Sequence, residues 1–595
     1  MELSIGIESG AQRIHGEKVK KLALLIAITA MSCQSTTPPP APTSPSPTTT
    51  PAAAPMAQPA KLEVAPDTPQ RLMQLPKTSI DYDRSLLNDN EKQVVAKLIE
   101  VSKYVDEIFW RQVSEENPEL RARLQKQAGT SPLDRAGYQY FLANKGRWDR
   151  LKQNEPLIAP FGPAGRKPEG AAFYPADMTK EEFERYVVAH PEKKEELQGL
   201  FTIVRRDGIA FVGIPYSVFY RDLIQPAAAN LREAASITQN QSLRTYLTKL
   251  ADAFLAGNYR ESDFAWMDLN GPIEVVIGPY EVYEDELFNY KASFESFVTV
   301  VDHAESEKLS VYAKHLPDME RNLPEPEQYR NPNRGTESPI KVVQEIYTAG
   351  DARRGVQTSA FNLPNDEFVR EKKGSKKVLL KNVMDAKFRQ SGRPIAMRVL
   401  DPSLTNLVSF DAYFNHTLFH ELSHGLGPGF ITLPSGERVE ARIPLKNLYS
   451  TIEECKADVV GLWNILYAQN NKLLSSFDER QLYATYTGLM FRSMRFGIDE
   501  AHGRGTAIQW NWLREKGAVT PMADGKYTFD AVKYREGIRT LATELLTIEA
   551  TGDFNRANAL LEKYGRSTPE MQSVIAKLTD IPVDITPVFP AAGEQ

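Results

Sequence analysis

The chain has 595 residues, of which 42% are hydrophobic and 25% charged, and carries a formal net charge of −6. This is the composition of an ordinary globular protein, long enough to bury a large core and to divide into more than one lobe. With no basic run or basic–aromatic stripe, the acidic balance argues against a nucleic-acid partner; two cysteines, Cys33 and Cys455, exclude a disulfide framework.

The first element in chain order is a targeting segment. Lys18, Lys20 and Lys21 precede an apolar run over 22–30, followed by Ala30-Met31-Ser32-Cys33. A positive patch, a short apolar stretch and small residues before a cut describe a secretory signal over 1–32. The stretch falls short of the roughly 20 residues that a spanning helix needs. Glu2, Glu8 and Glu17 are foreign to such a signal, and a start at Val19 gives a more conventional one. Cleavage removes four basic groups and three glutamates, leaving −6 − 1 = −7. A cysteine directly after the cut resembles the lipobox of bacterial lipoproteins, whose thiol is diacylated; the alternative is a plain signal with an incidental cysteine. Gln34 rather than Asp follows Cys33, so the expectation is an exported lipoprotein on the outer membrane, facing the periplasm. Residues 34–66 are rich in Pro, Thr, Ser and Ala without an aromatic, which predicts an extended tether of about 3.1 Å per residue.

The folded part is expected from 67 onward as a mainly α-helical α+β protein of two lobes around a cleft. Residues 67–330 are expected to form the first, helical and β-containing lobe and 331–595 a second, mainly helical lobe. Apolar returns every three or four residues predict helices over 88–255, interrupted by a strand at 211–220. The period changes over 271–301, where Ile273, Val275, Ile277 and then Phe294, Phe297, Val298, Val300 read as strands; 340–347 is another. From 404 helices dominate again.

That last region holds His420-Glu421-Leu422-Ser423-His424, an H-E-x-x-H motif. Four residues apart on a helix, the two imidazoles lie one above the other and suit one tetrahedral Zn²⁺. Glu421 is offset from that line and suits a general base. The metzincin third histidine is absent, because Phe430 stands in its place. A glutamate from a following helix remains, and Ser450-Thr451-Ile452-Glu453-Glu454-Cys455-Lys456-Ala457-Asp458 offers two. Either could instead close a capping box with Ser450 or Thr451, and spacing does not choose between them. Asp458, one turn beyond Glu454, could fix an imidazole tautomer. Cys455 reads as a small buried hydrophobe, and His416 as a helix residue facing solvent rather than a supporting group.

The two segments together resemble the dipeptidyl peptidase III family, whose hallmark is Glu-Glu-x-(Arg or Lys)-Ala-(Glu or Asp) after an H-E-x-x-x-H motif. This chain has the shorter H-E-x-x-H form. The resemblance implies Glu454 as the third ligand of one zinc ion per chain, with Glu453 and Asp458 supporting the histidines. Asn362-Leu363-Pro364-Asn365 resembles the family's Asn-x-Pro-Asn segment, and Gly271-Pro272-Ile273-Glu274 its Gly-Pro-Ile strand. Asn362, Asn365 and Glu274 are therefore implied to hold a substrate's N-terminal end. That strand is one residue short, and Val276 replaces its tyrosine, for which Tyr280 or Tyr283 could substitute. Glu500-Ala501-His502 resembles the segment with the catalytic histidine. The implied function is release of dipeptides from short peptides by a metal-activated water, with Glu421 as base and His502 stabilising the oxyanion. The alternatives are a zinc-holding lipoprotein without turnover, and a zinc endopeptidase or other amide hydrolase.

Overall fold

A long amphipathic helix, α1 (Asp89–Val113), organises the first lobe. Asn88 caps it by accepting from the Glu91 amide at 3.0 Å while the Glu91 carboxylate accepts from the Asn88 amide at 2.7 Å, a closed capping box. Its buried face, Val94, Leu98, Val101, Val105 and Ile108, follows the helical repeat and packs against α2 (Arg221–Ile237), which in turn packs against α3 (Gln241–Ala256). Between α1 and α2 the chain forms a hairpin, Thr202–Asp207 and Ala210–Pro215; the strand expected at 211–220 therefore ends early and passes into a turn of helix at Tyr216–Phe219.

In the computed structural model, which describes residues 61–330, 340–433, 435–498 and 501–594, the middle of the chain forms one five-stranded sheet. Its strands are β1 (Ile273–Glu281), β2 (Ser293–Val301), β3 (Ile340–Gly350), β4 (Ala360–Leu363) and β5 (Lys376–Leu380), in the order β1-β2-β3-β5-β4. Only β3 and β5 are parallel. Successive residues of a strand point to opposite faces, and here both faces are covered. Val343, Ile346, Val378 and Leu380 join the first core, whereas Val342 and Leu379 join a second core built by the helices that follow. The sheet is thus shared by the two lobes.

The second core is helical: α4 (Phe410–Ser423), α5 (Tyr449–Asn470), α6 (Glu479–Met494), α7 (Ala501–Glu515) and α8 (Ala531–Thr551). The C-terminal end then returns to the first lobe, where Thr586–Val588 pairs in parallel with Lys77–Ser79 and Phe589 enters the first core. Residues 61–66, read from composition as the end of the tether, pack instead: Val64 is buried and bridges to Ile158. Among the described residues no helix is long and apolar enough to cross a membrane. The signal segment, Cys33, the rest of the tether and Glu500 lie outside the described residues.

Candidate metal centre

The centre is built by two helices in backbone contact. Gly461 of α5 lies so close to α4 that an added Cβ would stand 3.0 Å from the His420 nitrogen and 3.1 Å from the Phe419 carbonyl carbon. Those atoms are backbone and cannot swing aside. Moving forward along α4 from His420 to His424, the partners on α5 run backward from Asp458 to Glu453, so the helices are antiparallel. Gly461→Ala is expected to force them apart, lowering stability by about 1–3 kcal/mol and weakening metal retention. Thermal unfolding and metal analysis check this; unchanged values in both would contradict it.

His420 donates from Nδ1 to Asp458 Oδ1 at 2.8 Å, and His424 donates from Nδ1 to Glu453 Oε1 at 2.7 Å. With each Nδ1 tied to a carboxylate, each Nε2 is turned inward, and the two Nε2 atoms approach to 3.2 Å. Glu454 Oε2 stands 3.3 Å from His420 Nε2, 3.8 Å from His424 Nε2 and 3.2 Å from His502 Nδ1. Yet this buried oxygen accepts no properly directed hydrogen bond. His420, His424 and Glu454 each offer one atom, all within 4.8 Å of one another, and among the described residues they are the group that could hold a metal ion. Two imidazoles and a carboxylate with oriented Nδ1 partners are the donor set of a catalytic zinc site. An orphaned buried oxygen is what such a site leaves for the ion to satisfy.

The electrostatics agree. Burial disfavours charge on His420, yet the Asp458 and Glu454 carboxylates push it up to about 10. The surroundings therefore stabilise a positive charge between the imidazoles, where a cation would sit. Burial likewise would push Glu453 up, but Lys456 and His424 outweigh it and hold its carboxyl low. Lys456 is itself buried, donating to Glu453 Oε1 at 2.9 Å and to the Ser423 and Leu426 carbonyls at 3.1 Å, so it fastens the end of α4 to α5. Asp458 is held from behind by Gln509 Nε2 at 2.9 Å.

Two expectations about these helices change. α5 begins at Tyr449, with no side-chain cap, so Ser450 and Thr451 lie inside the helix. The capping-box alternative for Glu453 and Glu454 thereby falls, and both carboxylates are turned to imidazoles. His416 does not face solvent: its Nε2 is 3.3 Å from the Asp458 carbonyl, its ring stands 4.5 Å from that of Tyr486, and burial lowers its pKa to about 4. Cys455 is fully buried.

Glu421 lies beside the imidazoles with a partner that sequence reasoning missed. Lys377 Nζ, reaching across from β5, is 3.1 Å from Glu421 Oε2 and donates to the Glu421 carbonyl at 2.8 Å. Burial would push the Glu421 carboxyl up; Lys377, then His420 and His424, outweigh it and keep it ionised. A cavity of about 540 Å³ opens here, lined among others by His420, Glu421, His502, Ser359, Tyr486 and Arg492. His502 stands at its rim, its side chain 61% exposed.

The proposed amine-binding residues are not all brought together. Glu274 is 1% exposed and clamped by Lys341 Nζ at 2.6 Å and Lys376 Nζ at 3.2 Å. It is neutralised inside the protein, and its role as the substrate anchor does not fit this geometry. Asn362 is exposed on β4, opposite Lys377 in register. Asn365 donates from Nδ2 to the Tyr280 carbonyl at 3.0 Å, and its side chain also hydrogen-bonds Glu281. Glu281 ends β1 after a bulge at Pro279–Glu281, which re-aims the strand. Burial raises the Glu281 carboxyl, with Asp351 adding to the rise. Tyr280 is turned into the protein beside Tyr246 and Asp263, while Tyr283 is 65% exposed.

The sequence profile of Peptidase family M49 matches residues 180–439, which include both histidines of the motif. The chain is similar to DPP III from Caldithrix abyssi, with 48% identity and a TM-score of 0.84, covering 88% of this chain and 98% of that one. It is similar to dipeptidyl-peptidase III from Corallococcus sp. strain EGB, with 41% identity and a TM-score of 0.73 over 89% of this chain and 98% of that one. It is also 36% identical over 554 residues to Nudix hydrolase 3 of Arabidopsis thaliana, covering 85% of this chain and 72% of that protein.

Proposed function

The chain belongs to peptidase family M49, the dipeptidyl peptidase III family, and on that premise we propose that it is a zinc peptidase releasing dipeptides from the N-terminus of short peptides. The observation that carries the zinc is the convergence of two oriented Nε2 atoms on an orphaned Glu454 oxygen. When bound there, Zn²⁺ supplies a Lewis acid that brings the pKa of water to about 7.

The protein's own groups do the rest. The Glu421 carboxylate, ionised and held by Lys377, takes a proton from the attacking water and passes it to the nitrogen of the leaving amine. His502, at the cavity rim, donates to the oxyanion that develops on the scissile carbonyl. For the substrate's amine, Glu281 takes over from the buried Glu274. Its carboxylate sits with Asp351 and Glu295 nearby and Arg354 as counter-charge, an acidic surrounding that an ammonium group would relieve. Asn365, already paired with Glu281, adds an acceptor.

Such an anchor counts residues from the terminus by distance. A short peptide should release dipeptides, and its N-acetylated twin should be cut at least about tenfold more slowly, the loss of one charge-assisted contact; Glu281→Gln should erase that difference. Product masses from the two peptides decide. Equal cleavage of both, or internal cuts scattered along the chain, would make the protein an endopeptidase with the same centre. The intact Glu421 speaks against a lipoprotein that holds zinc without turnover, since holding zinc does not require it.

The export reading rests on the N-terminal residues alone: the apolar run over 22–30 and Cys33 after the small residues. A fatty-acid label is expected on the wild-type protein and absent from Cys33→Ser. Equal labelling of the two would contradict the lipid anchor.

A further inference from the structure

One basic residue of the cavity is not used by the chemistry above. Arg492, on α6, lines the same cavity as His420, Glu421 and His502. Its Nε is buried and has no hydrogen-bond partner, and among the described residues the guanidinium makes no ion pair. Among the described residues the neighbouring charges are already spoken for. Lys387, also lining the cavity, is 2.9 Å from Asp584 and donates to the Gln357 carbonyl. Arg495 donates to the carbonyls of Leu578, Ile581 and Pro582. The two acids of the lining, Glu421 and Asp458, are held by Lys377 and by His420 with Gln509. Among the described residues, Arg492 is therefore the cavity's uncompensated positive charge.

Leaving such a donor unsatisfied in a partly buried site is costly, and a guanidinium presents its donors as a fork matched to a carboxylate. Arg492 lies six residues beyond Tyr486, whose ring stands 4.5 Å from that of His416, or about 9 Å along the helix axis. That length is roughly three residues of extended peptide at about 3.3 Å each. The hydroxyls of Ser359 and Ser493 line the same cavity and add donors.

We propose that Arg492 is a specificity residue that pairs with a carboxylate of the bound peptide, either its C-terminus or an acidic side chain. This rests on the peptidase reading, and it sets the preferred substrate as a short peptide with a negative charge a few residues from the cleaved bond. It acts by binding, so its effect falls on KM rather than kcat.

The test compares a short peptide as free acid and as C-terminal amide, and a series in which Asp or Glu is replaced by Asn or Gln at each position. Wild type is expected to favour one carboxylate-bearing member by about 10- to 100-fold in kcat/KM. In Arg492→Ala that preference should vanish, and Arg492→Lys, which keeps the charge but not the fork, should keep part of it. Loss with the C-terminal pair or with the side-chain series tells the two sources apart. The same ratios measured as calorimetric affinities for Glu421→Gln protein, with and without Arg492→Ala, need no turnover. A preference that persists unchanged in Arg492→Ala, in kinetics or in calorimetry, overturns the proposal. If wild type hydrolyses no peptide while the calorimetric preference follows Arg492, the peptidase reading fails and the carboxylate subsite stands.

Discussion

Glu454→Ala is expected to lose zinc, binding it more than about 100-fold more weakly than wild type, whereas Glu453→Ala should weaken it by only about 10- to 100-fold. The two glutamates are neighbours in sequence but differ in geometry. Glu454 Oε2 faces both inward Nε2 atoms and has no other acceptor duty, so its removal leaves two imidazoles to hold an ion that needs three protein donors. Glu453 touches only the outer nitrogen of His424, fixing the ring's tautomer and aim, and Lys456 and Tyr449 hold it in place. Zinc content of both purified variants, measured at matched folding by circular dichroism, separates the roles. Equal retention in Glu454→Ala and wild type would remove Glu454 from the centre.

Glu421→Gln is expected to keep its zinc and lose turnover by about 100- to 10,000-fold, the share that a positioned general base contributes. The amide retains the size of the carboxylate, but it cannot take the proton of the attacking water. Its oxygen can still accept from Lys377, so the local fold should hold. Metal analysis and single-turnover kinetics on the same preparation distinguish this from unfolding. Near-normal kcat would take Glu421 out of the chemistry and return the zinc-holding protein without turnover as the better account.

The two helices of the candidate metal centre were legible because their information is local. H-E-x-x-H and the Glu-Glu-x-Lys-Ala-Asp segment each sit within one or two helical turns, and the repeat of 3.6 residues fixes which side chains share a face. The onset of α5 was not legible, since Ser450 and Thr451 are good caps in isolation. The chain enters that helix earlier, through the short 3₁₀ turn Lys446–Leu448, and tertiary packing overrides the local preference.

Groups supplied from the sheet were invisible for a different reason. Lys376 and Lys377 are neighbours in sequence, but a strand sends adjacent residues to opposite faces. Lys376 therefore goes to Glu274 and Lys377 to Glu421, and only the sheet order reveals it. The same reasoning explains Glu274 and Glu281. They lie on one strand, but Glu274 sits in its interior and is clamped by lysines, while Glu281 lies at its end, beyond the bulge at Pro279–Glu281, and meets Asn365. A bulge leaves no sign in hydrophobic alternation. Arg492 was missed because an arginine on a helix is ordinarily a solvated residue, and that its Nε has no partner among the described residues is a fact of three dimensions.

The central claim is that the centre at His420, His424 and Glu454 carries peptide hydrolysis. Its most direct test follows one purified sample through three states: as isolated, after a chelator has removed its metal, and after one equivalent of Zn²⁺ has been returned. Metal content and hydrolysis of a short unblocked peptide are measured together at each step. The account predicts one zinc per chain with activity, loss of both together, and return of both together in wild type but not in Glu454→Ala. Hydrolysis that continues at full rate in the metal-free sample would contradict it.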